Sequence, residues 1–552
     1  MHFVLCVLNL PRNMKQPDQH RILGRRELLA YLAGVPVAGL VGCNFGRQNT
    51  IQGELLSPDL SIGHRLRDGW RPPQPTQPPQ QRRVVIVGGG MAGLSAAWQL
   101  GQRGVDDFVV LELESQPGGT SRSGQKDGFK YPWGAHYVPA PMKENAPLVE
   151  LFRQMGVVIG QAEDGQPIIA EQYLCRDPEE RVFVDGQWIS GLYPSIGADE
   201  QDLDQLTRFR ETMQSLAARR DLSGRRFFAI PMSTGSDDDE VRLFDRISMA
   251  QWMDENEFSS PRLRWLVDHA CRDDYGLTIR QTSAWAGLFY FASRLKGDGS
   301  ESQPVITWPE GNGRIIQFLA DRCGDRMRCG HVVTEIQRND DDQTLVRVFD
   351  SKSSASVDYL AGDVIFAAPQ FLAPHVIAGW KNGPRSNETF RYGGWVVANV
   401  MLSGRPAEEY GGMCWDNVIY DSRSLGYVTS THQSGLDHGP TVVSWYHPLL
   451  DDDPKVSRAE LLRLGWSDWA RVVISDLQKA HPEIATLIER IDVMRWGHAM
   501  IQPRVGFVWG GERQQASESI GRIHFAGTDL SGIALMEEAF DRGVQAGDRC
   551  VG

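Results

Sequence analysis

The sequence predicts an α/β fold built on a parallel sheet. Three observations predict it: a buried-strand run that breaks into glycines and a helix, a second run that ends in an acid, and a short strand near the far end of the chain. The first run is Arg83-Val84-Val85-Ile86-Val87, whose β-branched residues suit a strand covered on both faces. It leads into Gly88-Gly89-Gly90-Met91-Ala92-Gly93, and a helical pattern follows at Leu94, Ala97, Trp98 and Leu100. Gly88 makes the tight turn, Gly90 lets a pyrophosphate approach the backbone, and Gly93 lets helix and strand pack closely. The helix N-terminus then offers unpaired N–H groups and a partial positive charge to phosphates. Such glycines alone equally suit a plain turn. The second run, Phe108-Val109-Val110-Leu111, ends at Glu112, nineteen positions after Gly93, where a carboxylate accepts hydrogen bonds from ribose hydroxyls. Strand, glycines, helix, strand and acid in that order specify a Rossmann-like unit for an adenine dinucleotide.

Two further stretches bear on which dinucleotide. Gln116-Pro117-Gly118-Gly119-Thr120-Ser121-Arg122 follows Glu112, and Arg522-Ile523-His524-Phe525-Ala526-Gly527-Thr528-Asp529 comes near the end, ahead of Met536-Glu537-Glu538-Ala539-Phe540. With these motifs the chain resembles the FAD-dependent amine oxidase and phytoene desaturase superfamily over roughly residues 82–552. The resemblance implies FAD. Gly88, Gly90, Met91, Ala92, Gly93 and Glu112 would hold its adenosine and pyrophosphate, with Gly119 and Thr120 in the adjoining glycine pair. Asp529 would meet the ribityl chain or pyrophosphate, and the Met536 backbone would point its helix N-terminus at the isoalloxazine ring.

Composition narrows the class. A net charge of −13 argues against nucleic acid as a partner. The eight cysteines include no Cys-x-x-Cys, and there is no His-Glu-x-x-His, so no metal is expected. Cys323 and Cys329 suit either a short disulfide or two free thiols. The acidic runs Asp237–Glu240, Asp340–Asp342 and Asp451–Asp453 read as solvated loops.

In chain order, residues 1–43 read as an export signal. Arg25-Arg26-Glu27-Leu28-Leu29 resembles a twin-arginine motif, and Leu40-Val41-Gly42-Cys43 resembles a lipobox that would lipidate Cys43. The alternative is an amphipathic helix with a chance arginine pair. Met14 also suits a start. The resemblance implies an exported, extracytoplasmic protein that meets the membrane only through a lipid anchor. Residues 44–81 read as a Pro/Gln-rich tether, although Gly63 to Trp70 has the character of a segment that docks. The cofactor domain is expected to be discontinuous, over 82–141, 300–375 and 495–552. An inserted α+β substrate domain is expected over 142–299 and 376–494.

Within the cofactor domain, Tyr131-Pro132-Trp133-Gly134-Ala135-His136-Tyr137 resembles the family segment that passes the flavin, which places Gly134, Ala135 and His136 beside the ring. His136 equally suits a structural role. By the same resemblance, the Val333 backbone meets adenine. Inside the insertion, Glu180 to Ser190 reads as a hairpin around Asp185-Gly186. Arg272-Asp273-Asp274-Tyr275 suits either an ion-pair hub or a substrate wall, and the aromatics from Trp285 to Phe291 either core or cage. Alternating strands follow at Trp395–Met401 and Thr441–Trp445, then a long helix from Ala459 to Ala480.

Such flavoproteins move a hydride from a substrate carbon to flavin N5, and oxygen or a quinone-like acceptor then takes the electrons. Amine oxidases of the family usually place a lysine near N5. Aligned on Gly394–Asn399, this chain has Ala398 at that position, and Leu535 replaces an aromatic. Trp496 and His498 are candidates for the substrate wall, with His498 either a general base or a structural histidine. The expected function is oxidation of a small molecule, with an amine as the leading substrate. A desaturase or dehydrogenase of C–C or alcohol bonds remains an alternative, as does an electron-transfer flavoprotein without its own substrate. The oligomeric state is not legible.

Overall fold

The computed structural model describes residues 51–551 apart from 298, 300, 301, 340, 341 and 408–411. The export motifs from Arg25 to Cys43 lie outside the described residues.

The predicted parallel sheet is present. Its strands lie in the order Met327–Cys329, Phe108–Glu112, Gln80–Val87, Ala355–Phe366, Thr344–Asp350 and His331–Arg338, with Ile523–Phe525 beside the end of Ala355–Phe366. The first four strands and Ile523–Phe525 run parallel, and the last three of the main order form an antiparallel meander. Three distant pieces of chain therefore build one sheet. Their parallel strands end together, with Val87, Leu111, Phe366 and Phe525 in register at one edge. That edge is where a doubly wound sheet takes its ligand.

Helix Met91–Gln102 covers this sheet and packs against the last helix, Met536–Arg549. The contact depends on a missing side chain: a Cβ on Gly543 would stand 2.0 Å from Ser95 Oγ and 2.2 Å from the Ala92 carbonyl. Gly543→Val is therefore expected to force the two helices apart and lower stability by roughly 2–4 kcal/mol, since overpacking strains both backbones. Thermal unfolding of the variant beside the parent checks this. An unchanged midpoint would contradict the close packing.

The second sheet belongs to the substrate domain and has the order Leu55–Leu56, Ile488–Ile501, Tyr392–Leu402, Thr441–Leu449, Tyr427–Thr429, Asp416–Ile419, Glu180–Val184 and Gln187–Ser190. The expected hairpin is its far edge, with Asp185 and Gly186 at φ 49° and 81° in the two-residue turn. Through that hairpin the helical insertion joins the strands of 376–494, since Glu180–Val184 runs parallel to Asp416–Ile419. The aromatics Trp285 and Phe289, with Leu288, are core of the helical unit, packed with Phe228, Trp252 and Val267.

Three expectations need correction. The long helix is two, Pro454–Arg463 and Trp466–Leu477, because Gly465 is extended and gives its N–H to Asp468 as the cap of the second. Much of the stretch read as a tether is folded. Leu55–Leu56 adds a strand beside Val493–Met494, and helix Leu60–Arg67 buries Ile62 and Leu66 against Val332, while Trp70 meets the Phe349 ring edge-on at 5.1 Å. Gln80 to Arg82 already belong to the first parallel strand. The domain boundary placed at 494/495 falls inside strand Ile488–Ile501, which is held along its length by Tyr392–Leu402. Of the two readings open for the cysteines, Cys323 and Cys329 take the second and are free thiols.

Candidate active site

The glycine turn forms a cradle. At Gly88 the backbone has φ 106°, and a Cβ would lie 2.8 Å from the Ala367 carbonyl. A Cβ on Gly93 would lie 1.9 Å from the Gly88 carbonyl. Gly90 is different: its Cβ would meet nothing within 4 Å. Gly118 donates to the Gly89 carbonyl at 2.9 Å, which brings the Gly118-Gly119 pair alongside Gly90. No side chain caps the helix that starts at Met91, so the N–H groups of Met91, Ala92 and Gly93 remain for an anion. The helix that starts at Met536 is likewise without a side-chain cap, and Gly527, at φ 132°, also borders open space. Open space over two glycines and two uncapped helix N-termini fit an anionic dinucleotide.

Around this cradle lie the other residues named from the sequence. Glu112 is buried and accepts the Gly89 and Glu114 N–H groups at 2.6 and 2.8 Å, while its burial pushes its pKa up. Val333 lies in the strand that follows Cys329, the register partner of Glu112, and the ladder slips between Val333 and Glu335. A bulge of that kind leaves backbone groups unpaired, as adenine recognition requires. The Thr120 carbonyl accepts the Ala135 N–H at 3.1 Å, and Gly134 passes so close that a Cβ would be 2.2 Å from that same oxygen. Asp529 is already engaged. Its Oδ2 accepts the Gln370 N–H at 2.7 Å and the Tyr392 hydroxyl at 2.6 Å, so it orients those groups as well as any ligand.

Against the Gly134 segment stands a wall of rings. The Tyr446 hydroxyl donates to the Gly134 carbonyl at 2.9 Å. His136 lies 4.7 Å from the Tyr446 ring, 5.1 Å from Tyr137 and 5.6 Å from Trp415. Burial pushes His136 down to about 4, so it is neutral at neutral pH. Beyond the rings lie carboxyl groups. Asp274 is paired with Arg294 at 2.6 Å, and the Tyr137 hydroxyl bonds it too. Asp273, Asp416 and Glu180 have no ion pair among the described residues. Burial raises all three, with the negative charge of neighbours adding to it, and Asp416 reaches about 7 although the Asn417 N–H acts against the rise. Asp273, Asp416, His136 and Tyr137 nevertheless keep some accessible surface. Glu537, next to Met536, is pushed up to about 7 by burial, with Arg294 acting against it. The acids thus connect the helix end expected at the flavin to the ring wall on Gly134.

The candidates named from sequence fare unevenly. Trp496 is buried and gives its indole N–H to the Trp133 carbonyl at 2.7 Å, which makes it part of the packing behind Gly134. His498 is exposed, stacks on Phe371 at 4.3 Å, and lies apart from the ring wall. Ala398 faces away from the cofactor domain. It is fully buried with Val396, Val400, Trp445 and Val473 under the helices, while Trp395, Val397 and Met401 face Trp133 and Trp496. Sequence reasoning missed Tyr446, Trp415, Glu180 and Asp416 as site residues, which stand in unrelated stretches and are brought together by the sheet. Asp363, His524 and Cys550 also converge, their ligand atoms within 4.8 Å of one another. Protein partners account for that group: Arg522 and His524 bond Asp363, Ser519 bonds His524, and Cys550 donates to the Ala546 carbonyl.

Comparison with known proteins gives consistent findings. The family model for flavin containing amine oxidoreductase matches residues 91–551. A probable flavin-containing monoamine oxidase A of Dictyostelium discoideum is 22% identical over 494 residues, covering 83% of this chain and 95% of that protein. A solved putrescine oxidase with putrescine bound superposes with TM-score 0.63 at 16% identity, over 86% of this chain and 99% of its own. A fatty acid isomerase from P. acnes superposes with TM-score 0.60 at 16% identity, over 85% and 98%. At such identities the superpositions show the fold, and the fold hosts more than one chemistry.

Proposed function

This chain belongs to the flavin-containing amine oxidoreductase family and is an FAD-dependent oxidoreductase acting on a small molecule; from that premise we propose that the substrate is an amine, oxidised at the carbon next to nitrogen. The carrying observation is that the rings of His136, Tyr446 and Trp415 meet the buried carboxyls of Asp273 and Asp416, both of which act on Tyr446. Bound FAD supplies the two-electron acceptor, and oxygen or a quinone-like acceptor takes the electrons onward. The rings exclude water and offer their faces to a cation. The carboxylates draw a protonated amine inward. Before a hydride can leave, the ammonium must give up its proton, and buried carboxyls with a raised affinity for protons can receive it. The desaturase and alcohol alternatives fit less well, because an apolar or neutral substrate would leave these acids desolvated and unmatched.

Anaerobic titration of the purified flavoprotein with amines, alcohols and polyenes tests the reading. Amines are expected to bleach the flavin and the other two classes are not; bleaching by alcohols or polyenes alone would overturn the proposal. A pH effect follows from Asp416. Its charge is lost as pH falls through about 7, so kcat/KM for an amine is expected to fall towards acid from that point. A profile flat from pH 8 to 6 would remove Asp416 from substrate attraction.

A further inference from the structure

We propose that Glu537 takes up a proton when the flavin is reduced, so that its carboxyl sets how the redox equilibrium of the holoenzyme depends on pH. The inference goes beyond the amine reading and does not depend on it.

Glu537 is the second residue of helix Met536–Arg549, whose N-terminus is expected at the isoalloxazine ring and has no side-chain cap. A carboxylate suits that place, because the partial positive charge of a helix start favours an anion. Its setting is otherwise costly. Glu537 is 3% exposed, and its Oε1 takes no hydrogen bond and meets no solvent. The cation that acts on it, Arg294, is already engaged: it pairs with Asp274 at 2.6 Å and lies 4.3 Å over the Tyr290 ring. Burial pushes Glu537 up to about 7, with its own N–H and Arg294 acting against the rise and Asp274 adding to it. At neutral pH both of its forms are therefore populated, and its charge has neither water nor a cation of its own.

The charged groups on the elements packed around it are engaged elsewhere. Glu538 accepts the Met232 N–H at 2.6 Å, and Asp541 and Arg542 act on Glu538 from the next turn. Asp529 is held by Tyr392 and Gln370, His524 by Asp363, and Glu150 pairs with Arg153. Helix Met91–Gln102 carries no charged residue. A negative charge that arrives at the helix start thus finds Glu537 ready to answer it.

Reduction brings that charge. Two electrons and one proton give the ring its singly negative reduced form, while Glu537 takes a second proton from solvent. The net charge of the site is then the same before and after. In a buried site this is favoured over two neighbouring anions. The coupling is reciprocal: what reduction adds to the proton affinity of Glu537, protonation of Glu537 adds to the ease of reduction.

The test reads the redox equilibrium of the holoenzyme against a reference dye, without oxygen, at pH 7 and pH 8. In the parent the equilibrium constant for reduction is expected to fall at least about thirtyfold over that unit, or about 44 mV for a two-electron couple. Glu537→Gln keeps the shape and loses the charge, so its fall should be only about tenfold, or about 30 mV. Glu537→Asp should recover the steeper dependence. A merely structural glutamate would give the parent and the Gln variant the same dependence, and that result overturns the proposal. A fall of only about tenfold in the parent overturns it too, and needs no variant to fold. A second measurement on the parent alone is the reduced-minus-oxidised infrared difference spectrum at pH 8. Reduction should create a protonated-carboxyl band there, and its absence would again overturn the proposal.

Discussion

Gly90→Val is expected to give a folded protein that purifies without FAD. The glycines of the turn are not alike. Gly93 carries the packing of helix on strand, because a Cβ there would penetrate the Gly88 carbonyl at 1.9 Å. Gly88 needs its positive φ. Gly90 has φ −78° and ψ −173°, a conformation open to any residue, and a Cβ there would touch no protein atom within 4 Å. What valine would fill is the space in which a pyrophosphate must approach the N–H groups of Met91 to Gly93. Loss of flavin by more than about tenfold, with far-ultraviolet dichroism of the parent's shape, is the expected outcome. Gly93→Val should instead fail to fold. If the Gly90 variant retained full flavin occupancy, the cradle would be wrongly placed. Misfolding of that variant would mean that the open space is not open.

Ala398→Lys is expected to destabilise the protein severely, lowering its unfolding midpoint by roughly 10 °C or more. The family comparison by sequence set Ala398 where a lysine would approach the flavin. In the sheet, Ala398 instead faces Trp445, Val473 and Leu477 beneath the helices, packed among apolar side chains. A buried, unpaired lysine must either lose its charge or open the layer. The opposite face of the same strand presents Val397, and Asn399 donates to the Pro132 carbonyl at 3.0 Å while accepting the Ser444 hydroxyl at 2.6 Å. Strand Tyr392–Leu402 contains no lysine on either face, so it supplies no ammonium to the flavin in any register. Melting of the variant beside the parent decides the matter. A stable Ala398→Lys protein with faster flavin reoxidation would reverse the assignment of faces.

The parts legible in the sequence share one property: their requirements are local. The turn from Gly88 to Gly93 constrains φ, backbone clearance and helix start within a few residues, so residue types alone report it. The same holds for the Asp185-Gly186 hairpin, whose turn demands positive φ at adjacent positions. Glu112 is readable because strand length and helix length fix its distance from the glycines. The break between the two helices falls at a glycine, Gly465, inside a helical pattern.

The substrate side was not legible, and the reason is geometric. A strand's sequence determines that its side chains alternate between two faces, but not which face meets which domain. A slip of one residue moved Ala398 from the flavin face to the helix face. Glu180 and Asp416 lie more than two hundred residues apart and become neighbours only through a parallel register. Their raised pKa values arise from burial by elements remote in sequence, and Asp529 is spoken for by Tyr392 and Gln370 from another part of the chain. By itself the sequence determined the dinucleotide cradle and the discontinuous α/β plan, because backbone sterics and short-range order write those into adjacent residues. Only the tertiary structure decided which acids stand unpaired together and which rings face them, because register and desolvation belong to the assembled sheet.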